Sequence, residues 1–343
     1  MGGTLVAVLA VLAGGIGCGE FDPTDDGATG SGGYTASGGA FASGGAIGSG
    51  GAFASGGAIG SGGAFGTGGV FASGGASTGG AASGGGPNGT GGSSNDPPGP
   101  EDGRQIFLLI GQSNMEGVPV PEASDANTNP NIEVLGYDAS CKGRSWNTWG
   151  IASPPLHRCW AGVGPGDGFA KALAQAWPNA KIALVPCAIS GVDIDFFRKG
   201  VVSSRRNEFQ IPPNNQATGA YQMVLARAQL AQQTGVIRGI LFHQGESDSG
   251  SPQWVGKVAD MVDDLRTDLN LGTDVPFIAG ELYQSGCCGG HNTLVNQLPG
   301  AIDNAHVVSS AGLAGMDQYH FNLAGQRTLG QRYAATFLEA IGQ

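Results

Sequence analysis

The chain has 343 residues, 65 of them glycine, and a formal net charge of −11. Residues 1–100 hold 36 of those glycines and no lysine or arginine, which excludes one continuous globule, because so few large side chains cannot offset the entropy of ordering the segment. Residues 101–343 carry 16 basic and 22 acidic side chains, a balance that argues against a nucleic-acid or anionic-membrane surface.

Residues 4–13, TLVAVLAVLA, form an apolar run too short for a membrane span of about 20 residues but suited to the core of an export signal. The small stretch Gly14-Gly15-Ile16-Gly17 then leads into Cys18. This pattern resembles a bacterial lipoprotein signal. It implies an exported cell-envelope protein whose Cys18 is lipidated and whose only membrane contact is that anchor, with plain secretion as the alternative. Residues 37–78 repeat with period six, from SGGAFA and SGGAIG to SGGAST. Paired glycines in every repeat oppose a helix, so a flexible tether is expected over residues 19–102, with a packed ladder of Phe41, Ile47, Phe53, Ile59 and Phe65 as the rival. As a coil, the stretch from Gly19 to Pro100 would span roughly 50 Å. The segment Asn95–Gly103, NDPPGPEDG, marks the boundary of a folded domain over residues 103–343.

Within that domain, strands are predicted at Gln105–Ile110, Ile132–Tyr137, Lys181–Pro186, Val236–Phe242, Val275–Leu282 and Val307–Ser309. Helices are predicted at Gly168–Trp177, Thr218–Thr234, Pro252–Leu269, Asn292–Ile302 and Asn322–Ile341. Little alternation within the strands implies burial on both faces, hence an α/β fold with a parallel sheet between two helical layers. Ligands in such sheets bind beyond the carboxyl ends of the strands, and four motifs fall there.

Ile110-Gly111-Gln112-Ser113-Asn114-Met115 follows the first strand and exposes a serine at a strand-to-helix turn, with backbone N–H groups aimed at whatever it attacks. Cys187-Ala188-Ile189-Ser190-Gly191 follows the Lys181–Pro186 strand, and Gly191 could present an uncovered N–H. His243-Gln244-Gly245-Glu246-Ser247-Asp248 ends the Val236–Phe242 strand and offers a neutral amide, Gln244, as an oxyanion donor. Its histidine and two carboxylates lack the H-E-x-x-H spacing of a helical metal site. Asp317-Gln318-Tyr319-His320 precedes the last helix, and an Asp three residues before a His can orient one imidazole nitrogen while the other faces outward. Asn114 is expected to hydrogen-bond locally and Glu246 to brace the loop.

Together these segments resemble the SGNH (GDSL-like) hydrolases, within them the carbohydrate esterases that include acetylxylan esterases and sialate O-acetylesterases. The matching blocks are IGQSNMEG (110–117), VGPGDGFA (163–170), IALVPCAISG (182–191), GILFHQGESD (239–248) and DQYHFN (317–322). The resemblance implies a three-layer, flavodoxin-like fold and a serine esterase acting on acetylated polysaccharide or oligosaccharide without a cofactor. It implies Ser113 as nucleophile, His320 as base and then acid, and Asp317 as its orienting partner. The Ser113 amide, the Gly191 amide and the Gln244 side chain would form the oxyanion hole. A non-catalytic carbohydrate-binding surface protein on the same fold is the competing reading.

The insertion Asp138–Val163 holds Arg144, Trp146, Trp149 and His157, which suit either a sugar platform or a buried cluster. Cys141 and Cys159 bracket its Trp-rich loop and are the expected disulfide. Cys187, at a core strand's end, is expected to be a buried apolar side chain.

Overall fold

The computed structural model describes residue 98 and residues 102–138, 141–211 and 219–343. The apolar run 4–13, Cys18 and the repeats of 37–78 lie outside the described residues. Seven strands, β1 (Arg104–Gly111), β2 (Ile132–Leu135), β3 (Trp149–Ile151), β4 (Lys181–Pro186), β5 (Gly235–His243), β6 (Phe277–Gly280) and β7 (Ala305–Val308), form one sheet in the order β3-β2-β4-β1-β5-β6-β7. All neighbours run parallel except β2 and β3. Among the described residues seven α-helices accompany them: α1 (Ser113–Glu116), α2 (Pro165–Ala176), α3 (Ala220–Gln232), α4 (Trp254–Leu269), α5 (Asn292–Val295), α6 (Leu298–Ala301) and α7 (Leu323–Ala340).

The unbroken apolar run of β1 is explained by cover on both faces. Ile106, Leu108 and Ile110 pack with Tyr221 and Val224 of α3 and Val258 and Met261 of α4. Phe107 and Leu109, pointing the other way, pack with Phe169 and Leu173 of α2 and Tyr333 and Phe337 of α7. Each such side chain contributes about 1.5–3 kcal/mol through its burial, so β1 is apolar at every position rather than every second one.

Two local differences from the sequence reading have physical causes. The short strand β3 is an antiparallel edge whose residues are half-buried or exposed, so it carries no apolar run to reveal it. The helix expected over Asn292–Ile302 is divided into α5 and α6, because Pro299 lacks the N–H an unbroken helix needs and sits instead in the first turn of a new one.

The insertion folds around a buried arginine. Arg227 of α3 donates to the carbonyls of Pro186, Gly136 and Leu135 and to Asn147 Oδ1, and its guanidinium lies 4.6 Å from the Trp146 ring. Arg144 is buried against the carbonyls of Ser153 and Pro155, and His157 is buried beside Tyr137. These residues therefore form the insertion's own core; Trp149 is half-buried under Arg104. Cys141 and Cys159 are joined by a disulfide with Cα atoms 4.9 Å apart, and Cys187 is buried as expected.

Helices α2 and α7 meet backbone to backbone. A Cβ at Gly330 would lie 2.3 Å from the Pro165 carbonyl oxygen, and one at Gly168 2.7 Å from that of Arg327. Because the obstacles are main-chain atoms, Gly330→Ala should force the helices apart and lower the unfolding free energy by about 1–3 kcal/mol. Urea denaturation of the two proteins measures it, and equal midpoints with equal slopes would show that the helix pair yields freely.

Candidate active site

Gly111 ends β1 at φ +146, and a Cβ there would meet the His243 carbonyl oxygen at 2.1 Å, so only glycine lets β1 and β5 stay paired to their ends. Gln112 N–H then donates to that same oxygen, 2.9 Å away, and the chain turns into α1 with Ser113 at its first position. An N–H at the start of a helix has no intrahelical acceptor, which leaves the Ser113 amide available to a ligand.

Two hundred residues later, the loop before α7 brings the partner groups to this turn. His320 Nε2 lies 2.9 Å from Ser113 Oγ, and His320 Nδ1 lies 2.8 Å from Asp317 Oδ2. With the ring proton on Nδ1 both contacts are hydrogen bonds: Nδ1–H donates to the carboxylate and the serine hydroxyl donates to Nε2. The other carboxylate oxygen, Oδ1, accepts the backbone N–H groups of Tyr319 and His320, each at 2.7 Å. Burial alone would raise the Asp317 carboxyl, but these hydrogen bonds from His320 and the two amides outweigh it and hold the group below its usual range.

Asn114 fastens the two halves together. Its Nδ2 donates to Glu246 Oε1 at 2.6 Å and to the Tyr319 carbonyl at 3.0 Å, while its Oδ1 accepts from Phe321 N–H and Gln326 Nε2. Cys287 N–H adds a bond to the Gln318 carbonyl from the far side of the loop.

Gly191 borders the same turn at φ +78, and Ile189 N–H donates to the Gly111 carbonyl at 2.9 Å. The peptide between Ser190 and Gly191 is fixed from both ends. Glu116 Oε2 accepts both the N–H and the hydroxyl of Ser190, and the Gly191 carbonyl accepts Ser247 Oγ at 2.9 Å and Arg205 Nη1 at 3.0 Å. Glu116 is itself buried. Burial raises its carboxyl, against the attraction of Arg158 3.4 Å away and the bonds from Ser190. Sequence reasoning passed over Glu116, Ser247 and Arg205, although Glu116 lies inside the IGQSNMEG block, one helical turn from the serine.

Gln244 is placed differently from the expectation. It is buried; its Nε2 is surrounded by Gln112 Oε1, Val192 O and Asp248 Oδ2, and its Oε1 accepts from Trp254 Nε1. Both amide hydrogens are thus absorbed by protein acceptors behind the turn, and Gln244 braces the site instead of facing an oxyanion. Asp248 shares this bracing, since its Oδ2 also accepts Ile194 N–H at 2.8 Å. Neither Glu246 nor Asp248 displaces Asp317 from the histidine. Among the described residues, no three His, Cys, Asp or Glu side chains converge to hold a metal ion.

Burial pushes the Glu246 carboxyl up to about 7, against the hydrogen bond from Asn114, and Asp248 up to about 6. A carboxyl raised in the folded state binds its proton more tightly there than in the unfolded chain, so its contribution to stability falls as pH rises from about 4.5 to 7. Burial drives His157 and His243 down to about 3, and their effect over much of that range has the opposite sign. The difference between wild type and Glu246→Gln isolates the carboxyl: the melting temperature of wild type relative to the variant should drop between pH 5 and 7.5. Calorimetry at matched pH measures it, and a constant difference would mean that Glu246 titrates as an exposed acid.

Residues 103–339 match the model of the family described as carbohydrate esterase, sialic acid-specific acetylesterase (SASA). A protein of Arabidopsis thaliana named probable carbohydrate esterase is 28% identical over 268 residues, covering 68% of this chain and 90% of its own. The crystal structure of that plant protein superposes with a TM-score of 0.55 at 26% identity, over 68% of this chain and 98% of its own. The crystal structure of NanS, 20% identical, gives a TM-score of 0.53 over 70% of this chain and 97% of its own, a likeness of fold. With its sheet, its serine turn and its Asp-x-x-His loop inside the matched region, the chain belongs to the SASA family of carbohydrate esterases.

Proposed function

We propose that the protein is an SGNH-type serine esterase that removes O-acetyl groups from a carbohydrate of the acetylxylan or acetylated-sialate kind through an acyl-enzyme. The observation that carries this reading is the unbroken line from Asp317 through His320 to Ser113 Oγ, at 2.8 and 2.9 Å, beside the helix-initiating amide of Ser113 and the Gly191 turn. In the first half-reaction Ser113 Oγ attacks the acetyl carbonyl carbon while His320 Nε2 takes the hydroxyl proton. The carbonyl oxygen gains negative charge and is met by the Ser113 and Gly191 N–H groups. His320 returns the proton to the departing sugar oxygen, which leaves acetyl on Ser113. Water then adds to the acyl carbonyl with His320 as base, acetate departs, and the serine regains its proton. Asp317 keeps the ring proton on Nδ1 and stabilises the imidazolium in each half.

The rival reading, a carbohydrate-binding surface protein without activity, parts from this one in a single assay. Ser113→Ala and His320→Ala should each lower kcat/KM on p-nitrophenyl acetate by at least ~10³-fold. Release of p-nitrophenol measures it; wild-type rates in either variant would remove that residue from the mechanism, and an inactive wild type would favour the binding protein. A panel of acetylated xylan, glucomannan and sialosides, scored by acetate release, ranks the substrates.

The sequence supports export and anchoring through Cys18, with the repeats as a tether. A fatty-acid probe fed to the expressing bacteria should label the full chain and not Cys18→Ala; equal labelling of both would sink the anchor.

A further inference from the structure

Trp160 is 68% exposed, the only aromatic ring among the described residues so open to solvent. An indole left in water forfeits the stabilisation its burial would bring. Its surroundings are rigid. Cys159, the preceding residue, is held by the disulfide to Cys141 and donates its N–H to Asp138 Oδ2. On the other side, Gly162 N–H donates to the Gly117 carbonyl at 2.8 Å and Val163 N–H to that of Pro119 at 2.9 Å. The ring itself is backed by the Arg158 guanidinium, 5.3 Å from its centroid, and that guanidinium is fixed by Glu116 Oε1 and the Gln210 carbonyl. The indole therefore stacks on a clamped cation and keeps most of its surface open to solvent.

The location ties this surface to the chemistry. Glu116 is three residues after Ser113, about 5 Å along the helix axis, and its second carboxylate oxygen holds Ser190 next to Gly191. The segment 159–163 leads straight into α2, which starts at the carboxyl end of the sheet, as α1 does. Val120, 80% exposed, directly follows Pro119, whose carbonyl accepts the Val163 N–H.

Resting on the proposed esterase function, we infer that Trp160 is a stacking subsite for an uncharged pyranose ring of an acetylated glycan chain, next to the ring whose acetyl group meets Ser113. A flat indole gains most from the C–H face of a sugar, and one carried on backbone that is already tied down loses less freedom on binding. The charge pattern selects a neutral sugar over an acidic one. Arg158 is matched by Glu116, and Arg205 by Glu208 and the Gly191 carbonyl, so neither carries an uncommitted positive charge for a sugar carboxylate. A second subsite means that the preferred substrate is an oligomer, because a lone acetylated monosaccharide cannot occupy both positions.

The experiment compares the full chain with Trp160→Ala and Trp160→Phe on acetylated xylo-oligosaccharides of increasing length and on p-nitrophenyl acetate. Trp160→Ala should raise KM on oligosaccharides about tenfold, with kcat nearly kept, and Trp160→Phe should recover most of the loss. On p-nitrophenyl acetate, which is too small to reach the subsite, kcat/KM should change far less. An unchanged KM on every oligosaccharide overturns the subsite, and so does an equal loss on both substrate types, which would make Trp160 structural. Should wild type cleave no ester at all, the esterase reading fails separately. Calorimetric titration with the same oligosaccharides then decides the subsite: binding that Trp160→Ala weakens supports it, and equal or absent binding overturns it.

Discussion

Four hydrogen bonds converge on the side chain of Asn114, and the alignment of the site depends on them. The residue stands between the serine turn after β1, the Glu246 turn after β5 and the loop before α7, and it binds to the last two at once. A neutral amide suits the position because it offers two donors and two acceptor lone pairs in one plane, and here each side of that plane is used. Aspartate would lose both donations and face the Glu246 carboxylate; leucine would leave a carbonyl, a carboxylate, a backbone N–H and the Gln326 amide without their partner. Ser113 and His320 are 207 residues apart in the chain, yet the bond between them is set by contacts of the residue immediately next to each.

Around this amide the site is built from buried polar groups that bond to one another, although Glu246 Oε2 and Gln326 Oε1 have no hydrogen-bond partner. Glu116 and Glu246 are carboxylates almost without solvent contact, both raised by burial, and each reaches from one turn to another. An oxygen held in a low-dielectric setting interacts strongly with the few groups it touches and punishes their displacement. In the proposed esterase reaction this would hold the Ser113 and Gly191 amides in place before charge develops on a substrate. Gln244 extends the same logic: with both hydrogens absorbed, it stiffens the seam between the β5 turn and the Val192–Ile194 segment.

Much of this was legible in the sequence, and the physical reasons differ by element. The central strands announced themselves as apolar runs because helices cover both faces, and the Asp317–His320 pairing followed from a three-residue spacing that one turn of chain can close. Strand β3 stayed hidden, since an edge strand needs no apolar run. Glu116 stayed hidden because its partner Ser190 lies 74 residues away, and nothing in a glutamate after methionine signals a buried one. For Gln244 the motif was located but its orientation was not. A strand-end amide can point forward to a ligand or back into the protein, and only the presence of Trp254, Asp248 and Gln112 around it decides.

The insertion shows the same ambiguity resolved in two directions. Its tryptophans are chemically alike, and sequence offers no means to tell a core ring from a surface one. Arg227 draws Trp146 inward by stacking on it and by binding the carbonyls around it, so that ring fills the space between α3 and the insertion. Arg158, tethered instead to Glu116, holds Trp160 at the border of the site. Two arginines, one anchored to the core and one to the helix that starts at Ser113, thus separate a structural indole from an exposed one. Any change that loosens Glu116 would disturb the Gly191 turn and the Arg158 contact together, because opposite oxygens of one carboxylate hold both.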